Sequence, residues 1–422
     1  MTHQADQRPS RPLVLRRGLT RTATLAAALM LVSAGLAPPV RADVPAAPRP
    51  LLLKVTAPEP VLRGGVVVPG QVTRTYSLTL DAGERRLLRA RQPSREQPSR
   101  DLNALLEQVY ARIEARTPRD ARFVRVGGEW TAQAQTGWRV RRAETAERLR
   151  AALERPAAGR GALEVEVALR LTPPARTVAD LHERGVVAHL ASGESGFAGS
   201  PEFRVHNIRV GSSRLHGVWL EPGAVFDFNA LIGRISKERG FVPGYVIAGQ
   251  SLTMEPGGGI CQVSTTVFRA AYLAGLEVVE RHAHSHQVAY YDPPGFEATV
   301  YAPAKNLRFR NDTASPLLMQ AAWDLEAGTL SIHLFGGPPD RQVQVSPPRI
   351  RDLRPALAPS FVPAPDLKPG EARRIDLPAS GMRVRIERTV RRDGKVRRDE
   401  TLSHYRPWGG VFAVAPGDER LR

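Results

Sequence analysis

The sequence runs to 422 residues, 42% hydrophobic and 24% charged. That excludes a disordered chain and a small disulfide scaffold, and leaves room for two or three domains of about 100–200 residues each. The formal charge is +18, carried almost wholly by arginine, since the lysines are Lys54, Lys237, Lys305, Lys368 and Lys395. One cysteine, Cys261, excludes an intrachain disulfide and any multi-thiolate zinc site.

Residues 1–42 read as a secretory signal. Arg8, Arg11, Arg16, Arg17 and Arg21 form a positive lead, and Ala23 to Leu36 is apolar but short for a membrane span. Val40-Arg41-Ala42 offers small residues for cleavage before Asp43. An uncleaved anchor helix is the alternative. The expected location is therefore periplasm, cell envelope or extracellular space. An exported chain of this charge is drawn to anionic polymers. No helix-turn-helix, zinc finger or aromatic-basic RNA motif is present, so nucleic acid is not an expected partner. A membrane surface stays open as a peripheral contact.

Residues 43–50 form a Pro/Ala tether, and 51–175 read as a small α+β module. Thr75 to Leu80 alternates as a strand does, and Gln92 to Arg100 reads as a loop. Asp101 is the expected cap of a helix whose apolar face is Leu102, Leu105, Leu106, Val109, Tyr110 and Ile113. A second helix is expected near Ala143 to Leu153. Leu163, Val165, Val167, Leu169 and Leu171 then alternate as one half-buried strand.

Residues 176–340 form the central domain, with a short helix at 177–185 and a Gly/Ser-rich stretch, Ser192 to Pro201, read as loop. Residues 341–370 hold seven prolines between Pro347 and Pro369 and read as a stiff spacer. Residues 371–422 are a β extension. In it Met382, Val384 and Ile386 alternate, and Asp393-Gly394 supplies a hairpin turn. The fold class is α+β and multi-domain: a small α+β module, a central α+β domain with a cysteine-bearing helix packed on a sheet, and a C-terminal β hairpin.

The chemistry gathers at Gly257-Gly258-Gly259-Ile260-Cys261-Gln262-Val263-Ser264-Thr265-Thr266. The apolar period of Val263, Val267, Ala270, Ala271 and Ala274, ended by Gly275, places Cys261 at the start of a helix. Orphan N–H groups and the helix dipole favour a thiolate there. The glycines allow close approach, and the Gln262 N–H is a candidate oxyanion donor. A strand-like Leu276 to Glu280 leads to His282, His284 and His286, which in an extended chain share one face. One of them is a candidate general base for Cys261, with Glu297 or Asp292 to orient it. The alternatives are a solvated edge or, behind it, metal ligands that would need a further ligand from elsewhere, and no metal is expected. The order helix-Cys, strand-His, acid is shared with the papain/transglutaminase-like architecture, a fold-level analogy. No cofactor is expected.

On these residues the chain resembles the VanW family. Gly257 to Thr266 matches that family's most specific signature. Arg204-Val205-His206-Asn207-Ile208, Glu221-Pro222-Gly223, Phe226-Asp227-Phe228-Asn229, Arg239-Gly240-Phe241, Glu280-Arg281-His282, His284-Ser285, Tyr291, Glu297-Ala298-Thr299-Val300 and Lys305-Asn306-Leu307 follow in order. Ala224, Asp227 and Glu297 depart from the pattern. The resemblance covers about 203–337 and makes 176–340 a VanW domain, with His284 as the family-matched histidine. It implies that 51–175 is a peptidoglycan-binding module, that the setting is the cell envelope, and that glycopeptide (vancomycin) resistance is the associated context.

Two functions follow. In the first, the protein binds peptidoglycan or its precursors, with Gly257, Gly258, Gly259, Ser264, Thr265, His282, His286, Asn229 and Tyr291 as binding candidates. In the second, Cys261, His284, Glu297 and Gln262 carry acyl transfer, as an amidase or transpeptidase acting on stem peptides.

Overall fold

The structure is a computed structural model and describes residues 50–89, 99–155, 162–248 and 251–421. The expected signal at 1–42, nearly all of the tether and most of the polar 92–100 loop lie outside the described residues. The architecture is α+β throughout.

Strand Leu51–Pro58 buries alternate residues, Leu51, Leu53, Val55 and Ala57. It pairs antiparallel with Gln71–Leu78 and parallel with Leu163–Glu166. Three helices, α1 (Ala82–Arg89), α2 (Ser99–Glu114) and α3 (Arg142–Glu154), share its core through Leu106, Ile113 and Leu149, among others. Helix α2 begins at Ser99, so Asp101 lies inside its first turn rather than capping it.

The alternating run 163–171 is not one strand. It divides into Leu163–Glu166, beside Leu51–Pro58, and Leu169–Thr172, which pairs with Gly137–Val140. Between them Ala168 turns to α3: its carbonyl accepts from the Arg141 N–H at 2.8 Å, and its N–H donates to Thr145 Oγ1 at 3.1 Å. The apolar alternation of the sequence runs on across the change of partner while the burial does not, since Ala168 is buried and Leu171 is exposed, which is why alternation alone did not reveal it.

A second sheet in this segment runs Val66–Val68, Val61–Arg63, Glu129–Gln135, Arg119–Val126. Its buried face is shared with the central domain. Leu62, Ala121, Phe123 and Ala132 pack with Val178 and Leu181 of α4 (Val178–Glu183), and with Val186, Leu318 and Phe335. The Phe123 and Phe335 rings stack with centroids 4.1 Å apart. The buried Gln320 amide closes the contact by accepting from the Phe123 N–H at 2.8 Å and donating to its carbonyl at 3.1 Å.

The central sheet is antiparallel, in the order Ala188–Gly196, Thr329–Gly336, Leu317–Asp324, Trp219–Leu220. Helices α5 (Glu202–Ser213), α6 (Phe228–Ile232) and α7 (Ile260–Leu273) complete the domain. Val263, Val267, Phe268, Ala270 and Ala271 of α7 are wholly buried against the sheet. The Gly/Ser stretch read as loop is in part strand, since Ser192 to Gly196 closes Ala188–Gly196. Its residues are small because the helix lies on them: a Cβ on Gly193 would stand 2.1 Å from the Thr266 carbonyl oxygen.

In the tail, strands Gly381–Arg392 and Lys395–Tyr405 form the expected hairpin. Asp393 and Gly394 both have positive φ, 50° and 73°, as a type I′ turn requires. The 341–370 stretch is not a free spacer. Gln342–Val345 and Arg349–Arg354 pair in succession along the other side of Gly381–Arg392. Pro347 and Pro348 fall between those two strands, and both strands lie at an edge, the place a sheet tolerates proline. Ile386 enters the central core. Arg388, 2% exposed, donates to the carbonyls of Tyr272 (2.7 Å) and Leu276 (2.9 Å) at the end of α7 and pairs with Asp399.

Candidate functional site

The Gly-rich turn delivers α7 as its sequence requires. Gly257 and Gly259 sit at φ 99° and 109°, a region disfavoured for other residues. At Gly257 a Cβ would also lie 2.5 Å from Ile235 Cγ2. Gly258 is buried, and its carbonyl accepts from Asn207 Nδ2 at 3.2 Å. Gly259 precedes Ile260, so Cys261 is the second helical residue, half-buried.

The Cys261 sulfur contacts the Thr299 hydroxyl at 3.5 Å and the Val300 carbonyl oxygen at 3.6 Å. Among the described residues no hydrogen bond joins it to an imidazole. The Gln262 N–H donates to the Gly259 carbonyl at 3.0 Å and is therefore engaged inside the turn, not free as an oxyanion donor. The Gln262 side chain is fully buried. It accepts from Arg204 at 2.7 Å and donates to Ser195 Oγ at 3.1 Å and to the Gly196 carbonyl at 2.8 Å.

The hydroxyls that follow act as ties. Ser264 donates to the Ala298 carbonyl at 2.6 Å, and Thr265 Oγ1 accepts from the Ala298 N–H at 3.1 Å. Both are wholly buried. They hold 297–300 against α7 and so place Thr299 and Val300 beside Cys261.

The three histidines do not share a face. The chain is not extended through 283–286, and only His282 makes a β-bridge, with Thr299. His282 Nε2 meets Glu280 Oε1 at 2.9 Å. His284 stacks on Tyr291, centroids 4.9 Å apart, with its Nδ1 4.0 Å from Glu297 Oε2 and lacking a hydrogen-bond partner. Burial pushes its pKa down to about 3. His286 stacks on Trp408 at 4.6 Å, and its unpartnered Nε2 lies 3.9 Å from Asp376. Burial lowers its pKa against the opposing pull of Asp376.

Glu297 is the hub of this region. It is 1% exposed and accepts from Arg281 Nη2 at 2.9 Å and from the Tyr405 hydroxyl at 2.6 Å. Burial raises its pKa despite the adjacent guanidinium. Arg281, itself buried, also donates to the carbonyls of Glu297 (2.6 Å), Gly295 (3.1 Å) and Leu402 (3.2 Å), and to Ser403 Oγ (2.9 Å). A buried ion pair is tolerable only with such full pairing.

Asp292 is not part of the cluster, since its carboxylate accepts from Gln287 at 2.7 Å. Asn229 lies elsewhere, bound to the Lys305 carbonyl at 2.9 Å and to Asn306 at 3.0 Å. Tyr291 is buried beneath His284, its pKa raised by that burial.

Tyr405, Trp408 and Asp376 come from the tail and had no motif to announce them. Beside them a cavity of about 570 Å³ opens between tail and central domain, with His286, Met382, Tyr405 and Trp408 in its wall. The arrangement thus joins a half-exposed thiol at a helix start, a buried Arg–Glu–Tyr cluster and a histidine turned toward that cluster.

A family model described as VanW like protein matches residues 203–335. The uncharacterized protein YoaR of Bacillus subtilis (strain 168) is 32% identical over 168 residues, which are 39% of this chain and 53% of that protein. The vancomycin B-type resistance protein VanW of Enterococcus faecalis (strain ATCC 700802 / V583) is 30% identical over 118 residues, 26% of this chain and 42% of that protein. The chain thus spans about half the length, or less, of these curated relatives. No solved structure matches.

Proposed function

We propose that this chain, whose residues 203–335 match the VanW-like family model, is a VanW-type exported cell-envelope protein that binds peptidoglycan or its precursors without covalent chemistry at Cys261. The E. faecalis relative is a vancomycin B-type resistance protein. A part in glycopeptide resistance belongs to the same proposal for this chain.

The observation that carries the reading is the direction of His284. It faces Glu297 and Tyr291 while the Cys261 sulfur rests on Thr299 and Val300. A cysteine nucleophile needs its base within hydrogen-bond reach. Here the buried carboxylate, guanidinium and imidazole fix loops around a cavity, which is what a recognition surface requires. The arginine-rich composition adds attraction to anionic wall material.

Cosedimentation of the full chain with purified sacculi tests this. Wild type and Cys261→Ser should be retained equally, and neither should release stem-peptide fragments. Fragment release by wild type that Cys261→Ser abolishes would overturn the reading in favour of acyl transfer. Export is tested by the N-terminus of the protein recovered from the envelope fraction, which should begin at Asp43. Recovery only from cytosol with residues 1–42 intact would refute it.

A further inference from the structure

A second recess, distant in sequence from the thiol, lies where strand Arg119–Val126 meets the central domain. It measures about 400 Å³ and is lined by Arg119, Asp120, Arg122, Arg176, His216 and Gly217. Residues three apart on a regular strand point to opposite faces. Here the register slips: Arg119 opposes Gln135 and Arg122 opposes Gln133, so three steps on one strand match two on its neighbour. A bulge of that kind re-aims a side chain, and it brings Arg119 and Arg122 to the same recess.

Arg176 joins them from the chain leading into α4. Its Nε donates to the Ala121 carbonyl at 3.0 Å, and its own carbonyl accepts from the Ala121 N–H at 2.8 Å, so it is fixed on the strand. Gly217, at φ 83°, lies against the Arg176 guanidinium: a Cβ there would stand 3.4 Å from Nη1.

The charge is not balanced locally. Asp120 is the one carboxylate lining the recess, and its Oδ1 already accepts from the Arg176 N–H at 3.0 Å. Glu221 is paired with Arg184, which lies over the Trp219 ring at 4.0 Å. Burial depresses the pKa of Arg176, with Asp120 opposing. His216 donates Nδ1–H to the Ala321 carbonyl at 3.0 Å, which leaves Nε2 for a ligand. Apart from Gly217 every residue of the lining is polar, chemistry that suits a compact, charged oxyanion better than an apolar group.

Three guanidinium forks around a polar recess match the bidentate geometry of phosphate oxygens. We propose that this recess binds a phosphate group, either of a small free phosphate or of a phosphodiester in an anionic polymer. The site shares no residue with the α7 face, so it stands or falls apart from the reading of Cys261.

Calorimetric titration of the full chain tests it, with inorganic phosphate and dimethyl phosphate as separate probes and potassium chloride at matched ionic strength as control. Saturable binding at one site per chain is expected for phosphate and not for chloride. Arg122→Gln and Arg119→Gln, exposed positions, should each weaken binding by about tenfold to a hundredfold with thermal unfolding unchanged. Tighter binding of inorganic phosphate identifies a small soluble ligand, whereas equal or tighter binding of dimethyl phosphate identifies a diester. Absence of saturable binding above chloride, or wild-type affinity in both variants, would overturn the proposal.

Discussion

His284 shows how much one side chain's surroundings decide. Its ring is held between Tyr291 and Glu297, and burial takes its pKa to about 3. In the unfolded chain an ordinary histidine takes up its proton near 6.5. The folded value is the lower one, so the stability it implies is fully present above about pH 6.5 and is lost as pH falls toward 3. The slope for that one proton approaches about 1.4 kcal/mol per pH unit. Chemical denaturation at pH 7 and pH 5 should show the wild type losing more stability than His284→Phe, which keeps a ring on Tyr291 and removes the titrating nitrogen. Equal losses would place the acid sensitivity elsewhere. Glu297, whose burial raises its pKa, acts in the opposite sense, and because it is present in both proteins the difference between them isolates His284. At this scale the position of Cys261 was legible in sequence, because three glycines and an apolar period define a helix start. The engagement of the Gln262 N–H was not, because it depends on the carbonyl direction of Gly259.

Among the elements, α7 and the strand beneath it depend on one missing side chain. Gly193 lets the helix backbone approach so closely that a methyl group would meet the Thr266 carbonyl oxygen at 2.1 Å and the Ala270 nitrogen at 2.6 Å. Those neighbours are backbone and cannot rotate away. Gly193→Ala should therefore cost about 3 kcal/mol or more, read as a lowered denaturation midpoint, whereas Gly196→Ala, with open space around it, should cost far less. A similar effect at both positions would mean that the helix is free to lift. Helices α2, α3 and α7 and the Asp393-Gly394 hairpin were readable because periodicity and turn chemistry are local. Strand Ala188–Gly196 was only partly so, since small residues serve a helix contact as readily as a loop. The three histidines were misplaced because alternation implies a shared face only where the chain stays extended, and 283–286 does not.

For the molecule as a whole, the C-terminal extension is part of the central domain's interior. Ile386 fills its core, Arg388 binds the carbonyls that end α7, and Tyr405 satisfies Glu297 and the Gly295 N–H. A chain ending at residue 340 would take the Tyr405 hydroxyl from Glu297, and the Leu402 carbonyl and Ser403 hydroxyl from Arg281, leaving a buried ion pair short of partners. Its unfolding transition should fall by roughly 10 °C or more relative to the full chain in differential scanning calorimetry. An unchanged transition would show the extension to be merely resting on the surface. None of this was visible in the proline-rich text of 341–370, because edge-strand pairing is set by the partner strand, and the partner lies later in the chain. The amide of Gln320 carries the last consequence. Both of its bonds end on the main chain of Phe123, so any residue at 123 except proline could serve as its partner, and drift in the leading segment's side chains leaves the clasp intact. Replacing Gln320 by an apolar residue would instead leave the buried Phe123 N–H and carbonyl without that partner. The two halves can diverge in sequence while their joint stays put.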